Sequence, residues 1–362
     1  MHPHPSHQRR ILSTSLALTC LLLGAVTSWA GDTFKWTVQY LVDNSQSVFG
    51  HSQKVWPRRN RGIALSPDGK FIYLGYHHGG NAQGEVRKIA VGVTDDFARA
   101  TVRVLSGPRG KAISCDDKGR VYIADEGSIL IYDANLEHLE YSIQTPLCEG
   151  LCVTRDGKEL VLYTSDRQLG VVTRWVLEEK GDAIAGAAQA GFDGTGQVAL
   201  EGAVSLRNVE VDPKGNIWIA DNEGGRVFRV SKDGKQVDKA DISSPMDIAF
   251  EGNRTYVTRG IERVVSVMEA DTMKLIGNLS VPWDELELAP TGNNRLGALS
   301  GIVTVPGKGF LVCNETGQTA NQKSTYGRAD ENADFVAGKL YRDAYMDDND
   351  PVLRALEVNA GE

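Results

Sequence analysis

The stretch Asn208-Val-Glu-Val-Asp-Pro-Lys-Gly-Asn-Ile-Trp-Ile-Ala-Asp-Asn222 decides the fold. A short apolar run leads into an Asp-Pro-Lys-Gly turn, and a β-branched and aromatic run leads out of it. Such a pair reads as a β-hairpin whose glycine supplies the positive φ of the turn. Five further copies stand at residues 62–76, 112–126, 150–166, 247–260 and 301–315. Third strands follow several of them, for example after Glu85, Ser128, Gly170, Gly225 and Arg263, and weaker fourth strands begin near Val102 and Leu139.

Four antiparallel strands per unit, repeated radially, predict an all-β chain forming a single β-propeller. The turn glycines Gly69, Gly119, Gly157, Gly215, Gly252 and Gly309 lie 48 residues apart on average. From Gly309 round through both chain ends to Gly69 the gap is 91 residues once a leader of 30 is set aside, nearly two intervals. The count therefore predicts seven blades, with six as the alternative. The last would be assembled from both termini, with residues 33–42 and either 336–345 or 352–358 as candidate strands. Sharing a blade between the chain ends closes the ring and removes an exposed sheet edge.

With 47 acidic against 39 basic side chains the chain carries a formal charge of −8, and 39 glycines against 12 prolines disfavour helix bundles and coiled coils. The acidic balance excludes non-specific nucleic-acid binding, which needs clustered Lys and Arg. Arg9-Arg10, an apolar run from Ile11 and Thr27-Ser28-Trp29-Ala30 read as a signal peptide over residues 1–30, followed by the propeller over 31–362. After cleavage no membrane span is expected, and an exported, periplasmic protein of charge −10 remains, since two arginines leave with the leader. Four cysteines stay behind, Cys115, Cys148, Cys152 and Cys313; sequence cannot choose among their three possible pairings. No Cys-x-x-Cys-His occurs, so no covalently bound haem is expected.

In a propeller each innermost strand starts on the face where the second strand ends. That predicts a polar collar round one channel mouth, including Arg61, Lys111, Arg207, Asp221 and Asn222. Glu149, Asn208 and Asp247 open successive inner strands and offer hard oxygen ligands, a candidate calcium or magnesium site. The cations Arg61, Lys111 and Arg207 at the same mouth would oppose such an ion. Trp56, Arg58 and Arg59 form a basic, aromatic island suited to partner docking. His77-His78 and the acidic tail 347–350 lack metal-site spacing, and no catalytic nucleophile motif is present. Three long insertions, residues 182–203, 283–299 and 326–335, point to a partner surface.

Ser66-Pro-Asp-Gly-Lys-Phe-Ile-Tyr, the stretch after Asp212, and Thr255-Tyr-Val-Thr resemble the NHL and YVTN propeller families. Lactonases of the senescence-marker and gluconolactonase group use such a ring. Glu149, Asn208 and Asp247 loosely match their metal positions, without the Asn-Gly pair of that group. The stretch Val38 to Lys70 and the haem-free sequence are similar to the propeller (beta) subunits of anammox hydrazine synthases. That resemblance implies a non-catalytic subunit of an exported haem redox complex joining nitric oxide and ammonium, with haem-bearing partner subunits and an anammoxosome lumen location. The alternatives are a stand-alone, divalent-metal-dependent lactonase or hydrolase and a ligand-binding scaffold.

Overall fold

Asp212 shows why the repeat folds as it does. Its Oδ1 accepts the backbone N–H groups of Lys214 and Asn216 at 2.9 and 2.8 Å, and its Oδ2 accepts the Trp218 indole N–H at 3.0 Å. The turn is completed by Gly215 at φ +87°. One carboxylate thus shapes the turn and holds the aromatic residue of the next strand, six positions on. Asp116 repeats the arrangement, accepting the N–H of Lys118 and Arg120 and the Tyr122 hydroxyl. An aspartate three residues before a turn glycine is therefore a fastener for the hairpin.

The computed structural model describes residues 34–35, 37–42, 59–77, 84–90, 101–145, 147–262, 264–280, 298–305, 309–315, 339–344 and 359–360. Five blades are each built from consecutive strands, and their innermost strands are Arg59–Leu65, Ile113–Cys115, Cys148–Asp156, Leu206–Val211 and Pro245–Glu251. A further four-stranded sheet is assembled from both chain ends. In it Ala298–Val305 is innermost, followed by Gly309–Glu315, Lys339–Ala344 and the N-terminal Thr37–Val42, with Tyr40 opposite Tyr341. Each inner strand packs on the next, and Ala298–Val305 returns to Arg59–Leu65, so the ring closes.

Seven blades are not formed among the described residues. Among the described residues the long gap round the chain ends makes no four-stranded unit of its own, only the short pair Phe34–Lys35 with Asn359–Ala360. Its strands 339–344 and 37–42 supply the two outer strands of the sheet whose inner hairpin is the repeat at Gly309. The insertion at 182–203 is likewise largely absorbed by its blade. Ala183–Gln189 is the fourth strand, and Gln197–Ala199 adds a short strand beside the third. The leader 1–30, residues 352–358, and most or all of the two later insertions lie outside the described residues.

The core lies between blades, where apolar sheet faces stack. Val161, Tyr163 and Val172 of the third blade, for instance, meet Leu206, Val209 and Ile219 of the fourth. At the channel the inner strands approach closely. A Cβ on Gly150 would lie 2.3 Å from the carbonyl oxygen of Arg207 and 2.4 Å from Cα of Asn208. Only glycine allows that approach. Among the described residues no helix is long and apolar enough to cross a membrane.

Candidate functional site at the channel mouth

Five of the six inner strands carry a β-bulge near their first residues, between Asn60 and Ile63, Cys148 and Gly150, Leu206 and Val209, Pro245 and Asp247, and Leu299 and Ile302. A bulge sets two residues against one and re-aims the extra side chain. Arg61, Glu149, Arg207, Asn208, Met246 and Ser300 occupy these bulges, and all of them line one cleft at the channel mouth. Lys111, just before the second inner strand, and Asp247 complete its polar wall.

Glu149 is the hub. Lys111 Nζ lies 2.9 Å from its Oε1, while Arg61 Nη2 and Arg207 Nη1 each lie 3.3 Å from Oε2. Burial opposes the charged carboxylate, but the cations, Arg61 foremost, outweigh it and hold the Glu149 pKa down at about 2.

Asp247 behaves in the opposite way. Its oxygens accept the backbone N–H of Ile248 at 2.7 Å and of Ile302 at 2.9 Å, together with the side-chain amide of Asn208. Burial nevertheless dominates these bonds and raises its pKa to about 7, with a smaller push from Glu210. Glu210 is itself raised to about 7 by burial, although it accepts the Cys152 thiol at 3.1 Å and the Val211 N–H at 3.3 Å. Glu210 escaped the sequence reading. Its only signal was period-two spacing from Asn208 along one strand, which puts both side chains on the same side.

Asp221 and Asn222 stand apart from the cleft. Asp221 is fully buried, takes the N–H groups of Val204, Ser205 and Gly224, and pairs with Arg226. Asn222 donates to the Pro245 carbonyl at 3.2 Å. Both tie loops together beside the mouth. Arg59 opens the first inner strand opposite His77, whereas Trp56, Arg58, His78 and residues 347–350 lie outside the described residues. Cys115, Cys148 and Cys152 are free thiols; burial pushes Cys148 up to about 12 and Cys152 well above the usual range.

The candidate ligands Glu149, Asn208 and Asp247 do share the cleft, yet their donors are engaged. Asn208 Oδ1 accepts the Leu151 N–H at 3.2 Å and its amide goes to Asp247. Asp247 is held by backbone N–H groups, and three cations surround Glu149. This set does not fit a divalent cation, which needs outward-facing oxygens and a negative surround.

No known family profile matches the chain, and no curated protein matches it. Among solved structures, a protein of unknown function from Bacteroides caccae is similar with a TM-score of 0.51 at 12% identity, over 74% of this chain and 86% of that one. The chain is a β-propeller. At that identity the likeness establishes the fold alone. A virginiamycin B lyase from Staphylococcus aureus is similar at a TM-score of 0.47, 12% identity and coverage of 78% and 82%. The WD40 domain of SCAP from fission yeast is similar at 0.41, 16% identity and 76% and 64%.

Proposed function

We propose that this propeller is a non-catalytic subunit of an exported, multi-subunit haem redox complex of the hydrazine synthase kind, in the periplasm or the anammoxosome lumen. Its mouth face would meet haem-bearing partners. The observation that carries the reading is a set of aliphatic side chains exposed on that face. Leu169, Val204 and Ile261 are 72, 53 and 71% exposed. Leu169 and Ile261 sit in the turns that follow second strands, and Val204 lies just before an inner strand. Gly170 sits so near Ala203 that a Cβ on it would be 3.1 Å from the alanine methyl, which brings the segments of Leu169 and Val204 together. Apolar tips on two adjoining segments, Leu169 and Val204, are a feature that docking would cover, with Ile261 a separate tip just after the second strand Arg254–Arg259. The resemblance of residues 38–70 to the propeller subunits of hydrazine synthases supplies the partner class. Purification from the native host tests it. The chain should coelute with haem absorbance, and Leu169→Asp or Ile261→Asp should release it; elution alone, free of haem, would sink the proposal.

A second reading, a stand-alone lactonase or hydrolase, is favoured by one feature. A carboxyl whose pKa lies near neutrality, as at Asp247, suits proton transfer. Purified protein without activity on a panel of lactones would remove it.

A further inference from the structure

A second, larger space lies at the end of the channel away from the mouth. The later residues of four inner strands, from the third blade round to the sheet built by the chain ends, line a cavity of about 470 Å³ there. That size suits a small organic molecule, since ligand pockets run from roughly 300 to 1,000 Å³. Most of the wall is apolar, with Val211, Ile248, Phe250 and Ile302 contributing to it. Cross-strand contacts hold it in shape. Trp218 meets the Phe250 ring edge-on with centroids 5.5 Å apart, and the Thr304 hydroxyl donates to the Phe250 carbonyl at 2.9 Å.

Three ionisable side chains reach this wall, and two are committed elsewhere. Arg155 pairs with Asp117 and Glu179. Asp212 holds its own turn and the Trp218 indole. Glu210 differs. Its Oε1 accepts both the Cys152 thiol and the Val211 N–H, while Oε2 receives no donor among the described residues. Burial of the carboxyl pushes its pKa up to about 7. A desolvated carboxylate gains most from a partner that is both a cation and a hydrogen-bond donor. One free carboxylate oxygen among aliphatic side chains is too poor a donor set for a divalent ion. An ammonium group needs no more than that oxygen, and an apolar body attached to it would cover the surrounding wall.

We propose that this cavity binds a small organic amine, its ammonium against Glu210 Oε2 and its apolar body against Val211, Ile248, Phe250 and Ile302. The site lies at the far end of the channel from the docking tips and does not depend on the assembly reading above.

Isothermal titration of the full chain with benzylamine, at about pH 8 where Glu210 is ionised, tests it. Benzyl alcohol, of similar shape but without the charge, is the control. Benzylamine should bind saturably at one per chain and about tenfold more tightly than benzyl alcohol, the difference a charge-assisted hydrogen bond makes. Glu210→Gln should remove that preference, weakening benzylamine about tenfold while leaving benzyl alcohol unchanged. A general loosening of the fold would weaken both. If Glu210→Gln fails to fold, Val303→Phe, which fills the cavity from a half-buried wall position, should abolish binding of both probes. No saturation with benzylamine, equal affinity for the two probes in the wild type, or undiminished benzylamine binding in either variant would overturn the proposal.

Discussion

Lys111 Nζ and Glu149 Oε1 are 2.9 Å apart although 38 residues separate them in the chain. The pair joins the second and third blades at the channel, and Arg61 and Arg207 extend it to the first and fourth. Glu149 is therefore a charged pin for four blades at once. Replacing it with Gln leaves three buried cations facing one another. Holding its pKa near 2 corresponds to about 3 kcal/mol of stability. Urea denaturation at neutral pH should show a loss of that order for Glu149→Gln. The carboxylate's contribution is complete above its unfolded pKa near 4.5 and disappears as pH falls through about 2.

Asp247 and Glu210 give the opposite pH dependence. Both have folded pKa values raised to about 7 from 3.8 and 4.5. Over that interval the folded protein binds more protons than the unfolded chain, so stability falls as pH rises and levels off above about 7. Asp247→Asn should flatten the slope of the urea midpoint across this range, and Glu210→Gln should flatten it further. A midpoint that rises with pH over the same range in the wild type would contradict the assignment.

Asp212 bonds two turn N–H groups and the buried Trp218 indole. In Asp212→Ala these donors lose their acceptor. Only the indole N–H is buried, and a buried donor left unsatisfied costs about 1–3 kcal/mol, so the variant should lose at least about 1 kcal/mol by chemical denaturation. Asp212→Asn, which keeps an acceptor oxygen, should lose less.

Gly150→Ala places a methyl group against the backbone of Arg207 and Asn208. Forcing the strands apart should cost about 1–3 kcal/mol. It should also displace Arg207 from Glu149, so the melting temperature should fall. A variant as stable as the wild type would mean the strands can separate freely.

The engaged donors of Glu149, Asn208 and Asp247 set an expectation for metals. Dialysis against a chelator should leave the melting temperature unchanged, and added calcium should not raise it. A calcium-dependent rise would point to a site these contacts hide.

Hairpins were legible in the sequence because their chemistry is local. Asp116 and Asp212 each bind groups within six residues, and Gly69, Gly119 and Gly215 supply the positive φ that their turns need. Blade number was less legible. Chain length cannot tell a separate unit from outer strands supplied to an existing one, which is what 339–344 and 37–42 become. Arg61, Lys111 and Arg207 were readable as neighbours at one mouth, because propeller topology starts all inner strands on one face. Asp221 and Asn222 satisfied the same rule yet turn aside to tie loops, since the backbone N–H groups of Val204, Ser205 and Gly224 claim the Asp221 carboxylate and the Pro245 carbonyl accepts the Asn222 amide.

By itself the sequence determined a radially repeated antiparallel hairpin, closed by the chain's two ends, because turn glycines, capping aspartates and strand periodicity act over a few residues. Only the tertiary structure decided that Glu149 has three cations and that Asp247 and Glu210 hold protons to near neutrality. Those properties depend on burial and on distances between strands of different blades, set by the ring and its bulges and by no local spacing.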